Sequence, residues 1–376
     1  MVRLTWEAVL AWRTARQGLA SRAPAGDLLA VVSRLCGVQA QVASSAELTV
    51  WARLEGLERG TVDRLLWEER ALVKTWAMRG TLHLLPAAEL PRYTAASSRL
   101  KPRYHQGAWL RAHGLERAQA EAMLGAIRDV LAPGAPLTRD ELAHAVAART
   151  GHAELAGKLA GGFGDLLKPA AFAGDLCHAP PDGRLVRFTA PRAWLGRFDA
   201  PDPVAASAAT VRAYLAAYGP ASREQFQRWF GMTSPAEAGR WLRELGDELE
   251  EVELEDERGW MLAADVADAV AARPGGVVRL LPAFDQYVVT APRAAGAVLP
   301  AAFRGRVYRP QGWLSPVVAV DGRMVAVWSH ERRGDEVVVE VDAFAPPSAE
   351  VRAGVEAEVA RLERFLGARA AAVRWA

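Results

Sequence analysis

The chain has 376 residues, a formal net charge of +2, 51% hydrophobic and 24% charged residues. That balance excludes disordered and collagen-like classes, and the length exceeds what one hydrophobic core organises, so two to four units are expected. Only Lys74, Lys101, Lys158 and Lys168 are lysines; arginine's planar fork suits phosphate and base recognition, although an Ala-, Arg- and Gly-rich chain also follows from a GC-rich genome.

Apolar periodicity predicts helices over residues 5–19, 26–36, 44–54 and 61–69, then a β-hairpin over 72–86 that places Arg79, Thr81 and His83 on one face. Between the second and third helices lies Gly37-Val38-Gln39-Ala40-Gln41. Two glutamines at i and i+2 diverge by about 200° on a helix but point one way in an extended segment. Gly37 ends one helix and Ser44-Ser45-Ala46-Glu47 reads as a capping box opening the next, so a short extended span carrying both amides is expected. Taken alone, the pair reads more readily as two solvated glutamines in a connector.

The order of helices followed by a hairpin then recurs. Residues 115–131 are predicted helical, Pro136-Leu137-Thr138-Arg139-Asp140-Glu141 opens a second helix with a capping box, and a third follows near 154–163. Residues 172–190 supply two strands around Pro180-Pro181-Asp182-Gly183. The third copy has a helix at 204–218, caps at Ser222 and Ser234, and an acidic hairpin at 250–262 turning at Asp256-Glu257-Arg258-Gly259. Beyond 273–276 the character changes: short β-rich runs at 277–289, 305–308, 315–320, 323–329 and 336–341, with a hairpin signal at Asp321-Gly322, precede a final helix over 348–366. The predicted fold class is α+β. Three tandem winged-helix units (1–100, 101–200 and 201–272) lead into a small β-barrel with a terminal helix (273–376).

Cys36 and Cys177 stand in neither a metal nor a redox spacing and read as buried thiols in a reducing compartment. The seven histidines form no HxxxH or Cys/His cluster, so neither a metal nor a cofactor is expected. Residues 1–16 carry Arg3, Glu7, Arg13 and Arg16, and no later run of 18 uncharged apolar residues occurs, which reads as a cytoplasmic chain without a membrane segment. Lys101, Arg103, His105 and Arg111, interleaved with Tyr104 and Trp109, suit phosphate contact and stacking, or else a charged linker. Gly161-Gly162-Phe163-Gly164-Asp165-Leu166-Leu167-Lys168 lacks the Gly-Lys-Ser/Thr ending of a phosphate loop and follows a helix, so it reads as a helix end.

Three separated motifs carry a resemblance: Gly37-Val38-Gln39-Ala40-Gln41, Trp76-Ala77-Met78-Arg79-Gly80-Thr81-Leu82-His83 and Leu280-Leu281-Pro282-Ala283-Phe284-Asp285-Gln286-Tyr287. In this order, over nearly the whole chain, the sequence resembles the winged-helix DNA glycosylases of the AlkZ/YcaQ type. The resemblance implies three winged helices and a β-barrel forming a concave DNA-binding surface, excision of alkylated purines and unhooking of some interstrand crosslinks. It also implies a catalytic Gln-x-Gln motif, here Gln39 and Gln41. Arg79, Thr81, His83, Lys101, Arg103 and Asp285 are the further candidates for DNA contact, with Asp285 read more readily as satisfying backbone donors at a strand end.

The chemistry fits that implication. An N7- or N3-alkylpurine already carries positive charge, so cleavage through an oxocarbenium-like state needs no strong acid or base. A glutamine carbonyl can hold and polarise a water while its amide NH2 binds sugar or phosphate. The expected activity is a monofunctional glycosylase that hydrolyses the N-glycosidic bond of cationic alkylated purines in double-stranded DNA, acting as a monomer on the nucleoid without a cofactor. The rival readings are a non-catalytic winged-helix DNA binder or regulator and a protein-contact scaffold.

Overall fold

The computed structural model describes residues 1–102, 106–162, 164–255 and 257–376. Helices alternate with small sheets in a mixed α+β arrangement. The residues group into two units, the first formed by 1–62, 212–229 and 233–376, the second by 63–211 and 230–232.

In the first unit the Thr5 hydroxyl caps the helix Trp6–Arg16 by accepting from Ala8 N at 3.2 Å, and the helix buries Val9, Leu10 and Trp12. The residues before it, Val2–Leu4, run parallel to the strand Leu249–Leu254, itself antiparallel to Glu257–Leu262. Leu254 sits opposite Glu257, so this hairpin turns sooner than the sequence suggested; Asp256 lies outside the described residues. Ser222 and Gln225 form the expected capping box, with N···O distances of 2.9 and 3.3 Å. Ser234 caps Pro235–Arg243, which buries Trp241 and exposes Arg240 and Arg243. The capping box expected at Ser44 does not form. The helix starts earlier, at Ala43, with no side-chain cap, and Glu47 accepts from Gly60 N at 3.1 Å instead.

The C-terminal part of this unit departs from expectation. Its strands Val278–Leu281, Val317–Val320, Arg323–Arg333, Glu336–Ala343 and Ala370–Trp375 pair in that order, the last in parallel through the crossover helix Ala349–Leu366. The first and last strands remain edges among the described residues, so the expected barrel is an open sheet. The helix packs against both edge strands, and at Gly354 it comes so near Val278 that an added Cβ would meet Cγ2 at 2.5 Å. A helix laid over the sheet buries the face that closure would otherwise have buried. The strand expected at 305–308 is the short helix Arg304–Val307. Asp321-Gly322 does form the turn, with φ of 46° and 83°, and the Asp321 carboxylate accepts from Gly275, Gly276 and Val277 N at 2.8–3.1 Å.

In the second unit, helices Arg117–Leu131, Arg139–Thr150 and Glu154–Ala160 precede a hairpin of Cys177–Asp182 and Leu185–Thr189, which Leu137–Thr138 extends to three strands. The Thr138/Glu141 capping box forms as the sequence required. Met123, Ile127, Leu142, Val146, Leu155 and Phe188 make the core with Trp76. Glu154–Ala160 ends at Gly161, and Gly164, at φ 81°, lies where a Cβ would stand 2.7 Å from the Trp76 ring. The glycines here end a helix and admit an indole. No helix among the described residues is long and apolar enough to cross a membrane.

Candidate active site

The helix Leu28–Arg34 is stopped by two consecutive left-handed residues, Cys36 at φ 54° and Gly37 at φ 92°, with Gly37 N donating to Val32 O at 2.9 Å. The chain leaves this turn extended, at Val38–Gln39, and bends at Gln41. Gln39 is 6% exposed, whereas Gln41 is exposed. The two amides therefore sit on one non-helical span, as the spacing required, but at different depths.

Two buried side chains from distant parts of the sequence hold the turn. Tyr218 OH donates to Leu35 O at 2.5 Å, and Gln286 Nε2 donates to Gly37 O at 2.8 Å. Gln286 opens the short helix Gln286–Thr290, which Asp285 caps by accepting from Tyr287 N at 2.8 Å. Asp285 was a candidate for DNA contact; it is corrected here to an interior brace. Its side chain has no exposed surface and both oxygens bind the guanidinium of Arg53 at 2.7 and 2.8 Å. Arg53, equally buried, spends its other donors on Gln17 O and Thr49 O, at 2.9 and 2.8 Å. A buried bidentate pair satisfied on both sides fixes the segment carrying Gln286. Sequence reasoning missed Tyr218 and Arg53, whose partners lie 183 and 232 residues away; only Gln286 stood in a noted motif.

The second motif lies in the other unit and is a hairpin, Leu72–Trp76 with Leu82–Pro86. Arg79 does not share a strand face with Thr81 and His83. It occupies the turn, at φ 60° followed by Gly80 at φ 70°. Such a conformation costs a non-glycine residue about 1–2 kcal/mol, and the turn is closed by Ala77 N to Thr81 O at 3.1 Å and Gly80 N to Ala77 O at 2.9 Å. The Thr81 hydroxyl donates to Met78 O at 3.2 Å. His83 is fully buried, which corrects its candidacy as a direct DNA contact. Burial, then the charge of Arg79, pulls its pKa down to about 3, so the ring is neutral. Its Nδ1 lies 2.9 Å from Thr81 O, a position that demands the proton on Nδ1 and leaves Nε2 to accept from Arg79 Nη2 at 3.4 Å. Arg79 itself is half-buried, and Lys101 is exposed; Arg103, with Tyr104 and His105, lies outside the described residues.

A family profile described as "DNA glycosylase AlkZ-like" matches residues 32–365, a span that contains all three motifs. The chain belongs to this family. It is a DNA glycosylase. An "Interstrand DNA cross-link repair glycosylase" from Streptomyces sahachiroi is 40% identical over 337 residues, covering 87% of this chain and 88% of that protein. The solved structure of Streptomyces sahachiroi DNA glycosylase AlkZ aligns over 100% of both chains at 37% identity, with a TM-score of 0.90. Among the described residues, no group of three His, Cys, Asp or Glu side chains could hold a metal ion.

Proposed function

We propose that this chain is a monofunctional glycosylase that hydrolyses the N-glycosidic bond of cationic N7- and N3-alkylated purines in duplex DNA, with the water held by Gln39 and Gln41. The observation that carries the reading is the Gln-x-Gln span itself: two amides on one short non-helical span, which follows a turn whose Leu35 and Gly37 carbonyls are pinned by Tyr218 and Gln286. An amide carbonyl orients the water towards C1′ as the C1′–N bond breaks; oxygen adds to C1′, the purine leaves neutral, and the water's proton passes to solvent. Neither amide titrates, so the scheme works only for a base already charged. The buried Gln39 supplies the fixed partner and the exposed Gln41 the one that meets substrate.

The helix–hairpin segments at 1–100, 101–200 and 201–272 act as three winged helices, followed in the chain by the sheet and helix of residues 273–376. Arg79, Thr81, Lys101 and Arg103 contact phosphate and sugar, with charge-assisted bonds from the guanidiniums. The named activity of the Streptomyces sahachiroi relative, crosslink repair, extends to this chain as unhooking of purine N7 adducts, by a monomer in the cytoplasm and without a cofactor. The test is incubation with duplex carrying 7-methylguanine or uracil, followed by hot alkali. Strand breaks at 7-methylguanine and none at uracil are expected; equal release of both bases contradicts the amide mechanism.

A further inference from the structure

Residues 286–320 contain four arginines, Arg293, Arg304, Arg306 and Arg309, and not one Asp or Glu. Two of these cations are occupied: Arg306 pairs with Asp342, and Arg304 donates to Ala294 O at 2.6 Å. Arg293, exposed, lies 4.8 Å above the Tyr308 ring, and Arg309 is exposed; neither has an ion-pair partner among the described residues. Next to them the loop Arg309-Pro310-Gln311-Gly312-Trp313 is exposed throughout and ends in an indole that is 47% exposed. Gln311 at φ 58° and Gly312 at φ 76° turn the loop back on itself, with Arg309 N donating to Trp313 O at 2.8 Å.

The Trp313 ring is held edge-to-face against Phe284, with centroids 4.9 Å apart and planes at 79°. Among the described residues that is its one ring contact, and its indole N–H has no hydrogen-bond partner. Phe284 is itself left-handed, at φ 59°, and stands two residues before Gln286, whose amide holds Gly37 O. The segment that braces the Gln39 turn therefore also seats an exposed aromatic ring. Large aromatic side chains left in water beside unpaired cations are the pairing that stacks bases and meets phosphates. A protein partner would more often meet a mixed-charge rim, and this segment offers no acid.

We infer that this loop is a DNA-contacting surface in which Trp313 stacks on a base unpaired at the lesion, while Arg293 and Arg309 meet flanking phosphates. The inference rests on the reading of the chain as a glycosylase acting on duplex DNA, and its test reads binding rather than excision. The full chain is titrated with a duplex carrying a tetrahydrofuran abasic analogue, which leaves one base unpaired, and with the intact duplex. The native chain is expected to prefer the abasic duplex. Trp313→Ala and Trp313→Leu should lose that preference, on the order of tenfold; the leucine variant keeps apolar bulk against Phe284 and so controls for folding. Trp313→Phe should retain most of it. Arg309→Ala should weaken both duplexes alike and lower the slope of log affinity against log salt by about one. An unchanged preference in Trp313→Ala, with melting as in the native chain, overturns the inference even where 7-methylguanine is released normally. A Trp313-dependent preference in a chain that releases no base leaves this surface standing and sinks the hydrolytic reading.

Discussion

The turn at Gly37 and the hairpin at Arg79 each carry a noted motif, yet they are held in opposite ways. The turn of the hairpin is closed locally: Thr81, Met78, Ala77 and His83 bond to one another within seven residues, and the neutral His83 ring serves Arg79 four positions away. The Gly37 turn is held from outside. Its carbonyls are taken by Tyr218 and Gln286, and Gln286 depends in turn on an Asp285–Arg53 pair closed across 232 residues. A locally closed turn is disturbed only by changes within it, whereas a remotely pinned one is exposed to substitutions that no sequence window would associate with it.

The sharpest way to break that contrast is to remove a remote brace. Asp285→Ala leaves the Arg53 guanidinium buried and unpaired, which costs about 3–5 kcal/mol, and is expected to lower the melting temperature markedly. A paired replacement, Arg53→Leu with Asp285→Leu, should recover much of that loss. If Asp285→Ala melts like the native chain, the brace is not what holds the Gln286 segment.

Acid should find the second unit first. His83 and His178 are both buried, and burial, with nearby Arg79 for His83 and Lys74 and Arg139 for His178, pulls each pKa down to about 3. A depressed folded-state value means that the unfolded chain binds the extra proton. The stability each ring retains above about pH 6.5 is therefore lost as pH falls towards 3, by about 1.4 kcal/mol per pH unit for each histidine. Unfolding measured between pH 6 and 4 should take up two more protons in the native chain than in the His83→Gln, His178→Gln double variant. An equal uptake in both would place these rings in water.

A finer effect separates the two jobs of His83. Glutamine can place an acceptor where Nε2 lies, and asparagine a donor where Nδ1 lies. His83→Gln should thus keep the Arg79 contact and most of the DNA affinity, whereas His83→Asn should keep the Thr81 bond and lose several-fold in affinity. The reverse order would show that the ring merely closes the hairpin.

What was legible in the sequence follows the same division. The caps at Thr138, Ser222 and Ser234 and the turn at Asp321-Gly322 were readable because each is decided within four residues. The non-helical span bearing Gln39 and Gln41 was read from Gly37 and from a capping box at Ser44; the left-handed Gly37 is there, and the box is not. The open C-terminal sheet was not, because a barrel and a sheet covered by a helix have the same strand spacing; the difference lies in where Ala349–Leu366 packs. Nor was the Arg79 turn, since Met78-Arg79-Gly80 can continue a strand until Gly80 is known to be left-handed. Tyr218 and Arg53 fall inside the helices expected at 204–218 and 44–54, and nothing near them in sequence marks the partners 183 and 232 residues away.

The account turns on whether Gln39 and Gln41 act on the reaction or only on the fold. Single-turnover release of 7-methylguanine, measured beside affinity for the same duplex, decides this for Gln39→Ala and Gln41→Ala. The account predicts a fall in the cleavage rate of at least about a hundredfold, as when a group acting in the transition state is removed, with affinity changed only a few-fold. Cleavage that falls only as far as affinity does would contradict it.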